Sequence, residues 1–253
     1  MAHTIAVFGC GFVGGTVANY LEEHGTKVIR VDPKLYPFED PWEAVMNSDG
    51  IVVAVPTPSS EDGTCDDSMI KQVLSYCDAR TKVLIKSTVT PDLIQNYDVN
   101  IVYNPEFLRE AYAKEDFENQ HTFVLGYHKN NLPDAEWWAD VFHRNMTECI
   151  FTNRRTASMI KYTHNAWLAT KVAWFHELYD NLPPDVDYGA ITSALGRFPT
   201  IGSTHMQVPN SSGGLGYSGA CFPKDVKALT NVVNHSILST VKETNNKLNS
   251  KGE

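Results

Sequence analysis

TIAVFGCGFVGG, residues 4–15, runs from an apolar strand through three spaced glycines into the head of a helix. Gly9, Gly11 and Gly14 stand at GxGxxG spacing, and each has a separate physical task there. Gly9 permits a tight turn, Gly11 lets a pyrophosphate approach the backbone, and Gly14 lets helix and sheet pack closely. The helix N-terminus then offers unpaired N–H groups and a partial positive charge to phosphate. Asp32 ends the next strand 18 residues after Gly14. A carboxylate at that place accepts hydrogen bonds from a ribose hydroxyl and repels a 2′-phosphate. The combination predicts NAD as cofactor in preference to NADP, with Arg30 and Lys34 nearby weighing the other way.

Downstream the strand–helix alternation continues. Apolar runs at 27–32, 50–55, 82–87, 99–104 and 121–127 are separated by helical stretches such as PWEAVM, DDSMIKQVLSYC and LPDAEWWADVFHR. This pattern predicts an α/β fold with a mainly parallel, doubly wound sheet of Rossmann type. From about residue 152 apolar positions recur at helical spacing for roughly 28 residues. A short helix in YGAITSALG, a Gly/Ser/Pro-rich loop over 197–220 and further helical segments follow. The expected division is a NAD-binding domain over residues 1–151 and an all-helical domain with one long central helix over residues 152–253.

The 253 residues are 42% hydrophobic and 20% charged, the balance of an ordinary soluble domain. No apolar run approaches the ~20 residues of a membrane span. The first strand begins too near Met1 for a leader peptide, so a cytoplasmic protein with no membrane partner is expected. A formal charge of −9 without a basic block argues against a nucleic-acid binder. The five cysteines (Cys10, Cys65, Cys77, Cys149 and Cys221) include no CxxC pair, and the nine histidines form no HExxH pattern. A disulfide framework or metal site is therefore not expected.

GGLGYSGACFPKD, residues 213–225, delivers one thiol to the start of a helix. Pro223 suits a first helical turn, where its missing N–H costs nothing. Cys221 then stands at the positive end of a helix with Lys224 close by, and both favour thiolate over thiol. Asp225 follows one turn later. On the long helix Lys161 and Asn165 are four residues apart and share a face, which suits stabilisation of an oxyanion. KSTVTP (86–91) and YNPEFLREA (103–111) each follow a predicted parallel strand, and strand carboxyl ends are where open α/β sheets bind ligands. Glu106 and Glu110 are candidate bases on that ground. Each feature also has a plainer reading: a buried inert cysteine, a solvated polar stripe, two surface glutamates.

Six stretches occur together: GCGFVGGTVA, VAVPTP (53–58), KSTVTP, NPEFLREA, ASMIKYTHNAWLATKVAWFHE and GGLGYSGACFPKD. In this combination and order the chain resembles the UDP-glucose/GDP-mannose dehydrogenase family of nucleotide-sugar dehydrogenases. The resemblance implies oxidation of a sugar C6 alcohol to a carboxylate in two steps, with two NAD and no metal, and a place in polysaccharide biosynthesis. It implies Cys221 as the nucleophile, passing through a thiohemiacetal and a thioester. Lys161 and Asn165 match the residues that stabilise the oxyanion, Glu106 the base for thioester hydrolysis, and Thr88 and Asp225 the residues that position water. Cofactor contacts are implied at Gly9, Gly11, Phe12, Val13, Gly14, Asp32, Pro56, Thr57, Ser87 and Thr88. Substrate contacts are implied at Glu106, Phe107, Leu108, Arg109, Glu110, Lys161, Asn165, Gly216, Tyr217 and Lys224.

The resemblance also implies a homodimer through the long helix, whose Met159, Ile160, Trp167, Leu168, Val172, Trp174 and Phe175 exceed what one neighbour needs; packing within the chain is the alternative. Members of the family usually continue into a third α/β domain that completes the nucleotide site, and that domain is not expected within these 253 residues. Thr200 stands where the family commonly has an arginine, with Arg197 close by. Ser218 and Ala111 each replace a usual glycine. Two other readings stay open. One is a β-hydroxyacid-type NAD dehydrogenase, which needs no thiol. The other is a non-catalytic NAD or nucleotide-sugar binder, or half an enzyme awaiting a partner chain.

Overall fold

The computed structural model describes residues 3–36, 40–58, 65–97, 100–144, 146–210, 212–219 and 221–251, and for Glu110 the backbone alone. The chain divides into two compact units, Met1–Lys161 and Tyr162–Glu253.

In the first unit the strands are β1 (Thr4–Phe8), β2 (Lys27–Val31), β3 (Gly50–Val53), β4 (Val83–Ile85), β5 (Ile101–Tyr103), β6 (Phe123–Tyr127) and β7 (Cys149–Asn153). They form one sheet in the order β2-β1-β3-β4-β5-β6-β7. Every pairing is parallel except β5 with β6. The helices are α1 (Phe12–Glu23), α2 (Pro41–Met46), α3 (Ser68–Leu74), α4 (Ala113–Glu118) and α5 (Leu132–Val141). Alternate side chains point to opposite faces of a strand, and both faces are covered. Val7, Val52, Leu84, Val102 and Leu125 pack with Leu21 of α1 and Trp138 of α5. Ala6, Ile51, Val83 and Ile101 pack with Val45 of α2 and Ile70 of α3. Burial on both sides is why the central strands read as unbroken apolar runs.

The sequence reading misses β7. None of its residues is fully buried, and Ile150 is 44% exposed, because it is an edge strand with a single partner. It also misses α4, whose AKEDFE carries one buried apolar residue, Phe117.

Helix α6 (Arg154–Asp180) is continuous over 27 residues and runs on into the second unit. There α7 (Tyr188–Leu195), α8 (Phe222–Val232) and α9 (Ser236–Asn249) follow. Lys171 on α6, 7% exposed, donates to the carbonyls of Ile201 (2.8 Å) and Gly202 (3.0 Å), anchoring the loop after α7. Among the apolar residues of α6, Val172 and Phe175 are buried, whereas Trp167 and Trp174 are 64% and 67% exposed. No helix among the described residues is long and apolar enough to cross a membrane.

Candidate active site

The glycine turn joins the carboxyl end of β1 to α1. Gly9 has φ +84°, and a Cβ there would lie 2.7 Å from the Ala54 carbonyl oxygen at the end of β3. A Cβ on Gly14 would lie 1.8 Å from the Gly9 oxygen, yet one on Gly11 would meet nothing within 4 Å. Packing therefore demands two of the glycines, and the third leaves open space against the backbone at the helix head. Gly11 is the N-cap of α1, with no side chain capping the first turn. Such a helix head suits a phosphate, so the residues present fit the pyrophosphate of NAD.

Asp32 fastens this turn. Its Oδ2 accepts the Cys10 N–H (2.9 Å), and its Oδ1 accepts those of Lys34 (2.9 Å) and Leu35 (3.1 Å). Partial burial works against the charge, but these N–H groups and the Lys34 ammonium outweigh it and hold the carboxyl below its ordinary value. Arg30 is turned back onto α1, with Nη2 at 2.6 Å from Glu22 and 2.8 Å from Asn19. At the ends of β3 and β4, the Ser87 hydroxyl donates to the Val55 carbonyl (2.7 Å) and the Thr57 hydroxyl to that of Thr88 (2.8 Å). Pro56 lies between them and is exposed, as is Phe12 at the head of α1, while Val13 is half-buried.

Also in the first unit, Lys161 donates to Glu106 at 2.9 Å, with the two side chains 4% and 10% exposed. Glu106 further accepts the Leu108 N–H at 2.7 Å. Burial would raise the Glu106 carboxyl, but the Lys161 ammonium, the Leu108 N–H and the charge of Lys86 together hold it below its ordinary value. The Phe107 ring lies under the Lys161 ammonium. Arg109 is committed to Asp116 and stacks on Tyr112. The Glu110 side chain lies outside the described residues.

Lys86 is the residue that sequence reading passes over. It is 2% exposed and donates to the Asn104 side chain at 2.6 Å, and Asn104 in turn donates to the Val124 carbonyl at 2.6 Å. Burial pushes its ammonium down to about 7, with Glu106 pulling upward and Arg144 and Lys161 adding to the fall. A lysine after VLI reads as the polar end of a strand, and its burial, its bond to Asn104 and the packing of Phe117 and Phe123 around its ammonium show otherwise.

In the second unit, Cys221 is exposed and forms the N-cap of α8, with Pro223 in the first turn. Asp225, one turn on, is 1% exposed. It accepts from the Asn165 amide at 2.7 Å and has the Lys224 ammonium 3.5 Å from its other oxygen. The α8 N-terminus and the middle of α6 are thus joined through a buried polar pair next to the thiol's own helix turn. At Gly216 and Tyr217 the backbone polar groups are already bound by side chains of this unit. Among the described residues, no group of three or more His, Cys, Asp or Glu is placed to hold a metal ion.

Comparison with known proteins matches residues 33–144 to the NAD binding domain and residues 155–247 to the central domain of the UDP-glucose/GDP-mannose dehydrogenase family. The chain belongs to this family. Its members are NAD-dependent nucleotide-sugar dehydrogenases, and NAD is the cofactor of the first domain. A UDP-glucose 6-dehydrogenase of Rhizobium meliloti is 34% identical over 211 residues, which are 76% of this chain and 47% of the relative. The UDP-glucose 6-dehydrogenase AglM of Haloferax volcanii is 28% identical, over 89% of this chain and 64% of the relative. The family member thus spans about half the length of the Rhizobium enzyme. Among solved structures, a UDP-glucose dehydrogenase from Pyrobaculum islandicum superposes with a TM-score of 0.81 at 24% identity, covering 98% of this chain and 68% of that one. A 3-hydroxyisobutyrate dehydrogenase of Mycobacterium tuberculosis shares the fold with a TM-score of 0.70 at 17% identity, covering 100% of this chain and 95% of that one.

Proposed function

We propose that this chain oxidises the C6 alcohol of a nucleotide sugar of the UDP-glucose kind to the carboxylate, using Cys221 as a covalent nucleophile. The observation that carries this reading is the thiol at the N-cap of α8, backed one turn later by the buried Asn165–Asp225 hydrogen bond. The relatives named as UDP-glucose 6-dehydrogenases support the substrate class. NAD, when bound, accepts a hydride in each of two rounds. The first round turns the alcohol into an aldehyde and releases a proton. The Cys221 sulfur then bonds to the aldehyde carbon, giving a thiohemiacetal. Loss of the second hydride and a proton leaves a thioester, which water cleaves to the carboxylate and the restored thiol. Lys161 and Asn165, one turn apart on α6, supply donors to the oxygen that becomes negative. Glu106, kept ionised by its cationic neighbours, takes a proton from the attacking water, and Thr88 and Asp225 position that water.

The exposed Trp167 and Trp174, seven residues apart on one face of α6, support a homodimer through this helix. The likeness to the 3-hydroxyisobutyrate dehydrogenase fold keeps a β-hydroxyacid oxidation as the second reading, one without a thiol step.

The test is NADH formation from NAD with UDP-glucose, UDP-galactose, UDP-N-acetylglucosamine and GDP-mannose, with Cys221→Ala in parallel. Two NADH per sugar, lost in the variant, is the expected result. Turnover that survives in Cys221→Ala and resists alkylation favours the thiol-independent reading. NAD binding without any turnover favours a chain that works with a partner.

A further inference from the structure

Helix α6 carries an imidazole that this chemistry does not use. His176 is 1% exposed. Its Nδ1 lies 2.9 Å from the Gly216 backbone nitrogen, and its Nε2 lies 3.0 Å from the Gln207 carbonyl oxygen. A backbone N–H can only donate, so Nδ1 must be the bare acceptor. A carbonyl can only accept, so the ring proton must sit on Nε2. One neutral tautomer satisfies both partners, whereas the imidazolium would set two N–H groups against each other at Gly216. Burial pushes this imidazole below its ordinary value, with the Gln207 carbonyl pulling the other way.

The same segment is held from other sides. Asn245 on α9, 4% exposed, accepts the Tyr217 N–H at 2.6 Å and donates to the Tyr217 carbonyl at 3.2 Å. Asn210 donates to the Gly216 carbonyl at 2.8 Å. All four backbone polar groups of Gly216 and Tyr217 are therefore bound by side chains rather than by a helix or strand, which is unusual for a buried segment. Gly216 has φ +78°, and a Cβ there would lie 2.5 Å from the Asn245 oxygen, so the clamp also fixes the residue type. The Tyr217 ring, 3% exposed, meets Phe222 edge-on with centroids 6.4 Å apart. Phe222 is the first residue of α8 and the neighbour of Cys221.

We infer that His176, acting with Asn245, is a positioning residue for Cys221: the two side chains fix Gly216–Tyr217, and the Tyr217–Phe222 contact passes that order to the first turn of α8. The inference rests on Cys221 being the reacting thiol. It assigns α9 a part in the site that none of the sequence motifs suggests.

Two amides separate the two bonds of the imidazole. In His176→Asn the side-chain oxygen falls where Nδ1 stood and keeps an acceptor for Gly216, but the group is too short for Gln207. In His176→Gln the amide nitrogen falls near Nε2 and keeps the Gln207 bond, leaving Gly216 N–H without an acceptor. Amide hydrogen exchange at Gly216 and Tyr217 is measured alongside the iodoacetamide alkylation rate of the Cys221 peptide, with no NAD or sugar present. His176→Asn is expected to stay within about threefold of the wild type on both readouts. His176→Gln is expected to exchange about tenfold faster at Gly216, the factor for one ordinary buried hydrogen bond. Its Cys221 alkylation is expected to fall several-fold as the first turn of α8 frays from the sulfur. Asn245→Asp, which sets a carboxylate against the Tyr217 carbonyl and leaves the His176 bond to Gly216 in place, is expected to slow Cys221 alkylation by a separate route.

Equal behaviour of the Asn and Gln variants overturns the inference, because the imidazole then only fills space. Faster exchange with unchanged alkylation overturns it too, because the clamp then does not reach Cys221. Neither readout involves turnover, so surviving activity in Cys221→Ala would sink the thioester mechanism without touching this comparison.

Discussion

Asn165 on α6 and Asp225 on α8, 60 residues apart in the chain, are joined by a 2.7 Å hydrogen bond and are 5% and 1% exposed. Asn165→Ala leaves a buried carboxylate oxygen without its donor, and we expect a loss of about 2–4 kcal/mol in denaturant unfolding. Asn165→Asp is the sharper probe. Two carboxylates at that separation share a proton, so the folded state binds more protons than the unfolded one. Stability then rises as pH falls, and this variant should be more stable at pH 5 than at pH 8. The opposite order would mean that the two side chains part when the bond is lost.

The ion pair of Lys161 and Glu106 is largely shielded from water. Glu106 is held below its ordinary value, so its contribution to stability is present above the unfolded carboxyl value and fades as pH falls through the lower, folded one. Lys161→Met removes the chief lowering charge and strands the carboxylate. We expect a cost of about 3–5 kcal/mol at pH 7, smaller at pH 5, where protonation relieves it. A double-mutant cycle with Glu106→Gln, read by urea unfolding, should return a coupling of at least about 1 kcal/mol. A coupling near zero would show the pair to be incidental.

Lys86 supplies a pH dependence of its own. Its displacement from 10.5 to about 7 corresponds to a burial cost on the order of 5 kcal/mol wherever the folded group is still charged. The folded value is the lower one, so the penalty is full below about 7 and is relieved as pH rises from there to the unfolded value. Lys86→Met carries no such penalty. Measured by thermal unfolding between pH 6 and pH 10, the variant's stability relative to the wild type should be greatest at pH 6 and decline as pH rises. A constant difference would mean that the buried ammonium stays charged throughout.

The parts of this protein legible in its sequence are those where one residue type has a single physical use. Gly9 and Gly14 are legible because the turn and the close approach of β3 admit no side chain, and the apolar strands because both sheet faces are covered. Cys221 beside Pro223 marks a helix start by local chemistry alone. What stays hidden depends on partners far away in the chain. Nothing local distinguishes Lys86 from a strand-end lysine, or His176 from any helical histidine, since their meaning comes from Asn104 in one case and from Gly216 and Gln207 in the other. The edge strand β7 is hidden because none of its residues is fully buried.

Cofactor choice turns on Arg30. A guanidinium near the ribose is the usual seat for a 2′-phosphate, but this one is engaged by both oxygens of Glu22 and by Asn19. Asp32 adds a fixed negative charge at the end of the same strand. We therefore expect NADP to be refused twice, by repulsion from Asp32 and by withdrawal of the cation. Glu22→Ala alone frees Arg30 but leaves Asp32 charged, and should change the NAD-to-NADP affinity ratio by less than about tenfold. Asp32→Asn alone removes the repulsion, keeps only one of the two acceptor oxygens that hold the Cys10, Lys34 and Leu35 N–H groups, and still lacks the cation. The double variant should narrow the ratio by more than the product of the two single effects, because the freed arginine pays off only when the carboxylate is gone. Titration of each variant with NAD and NADP checks this. Strictly multiplicative effects would place the 2′-position out of reach of Arg30 and leave Asp32 as the sole determinant.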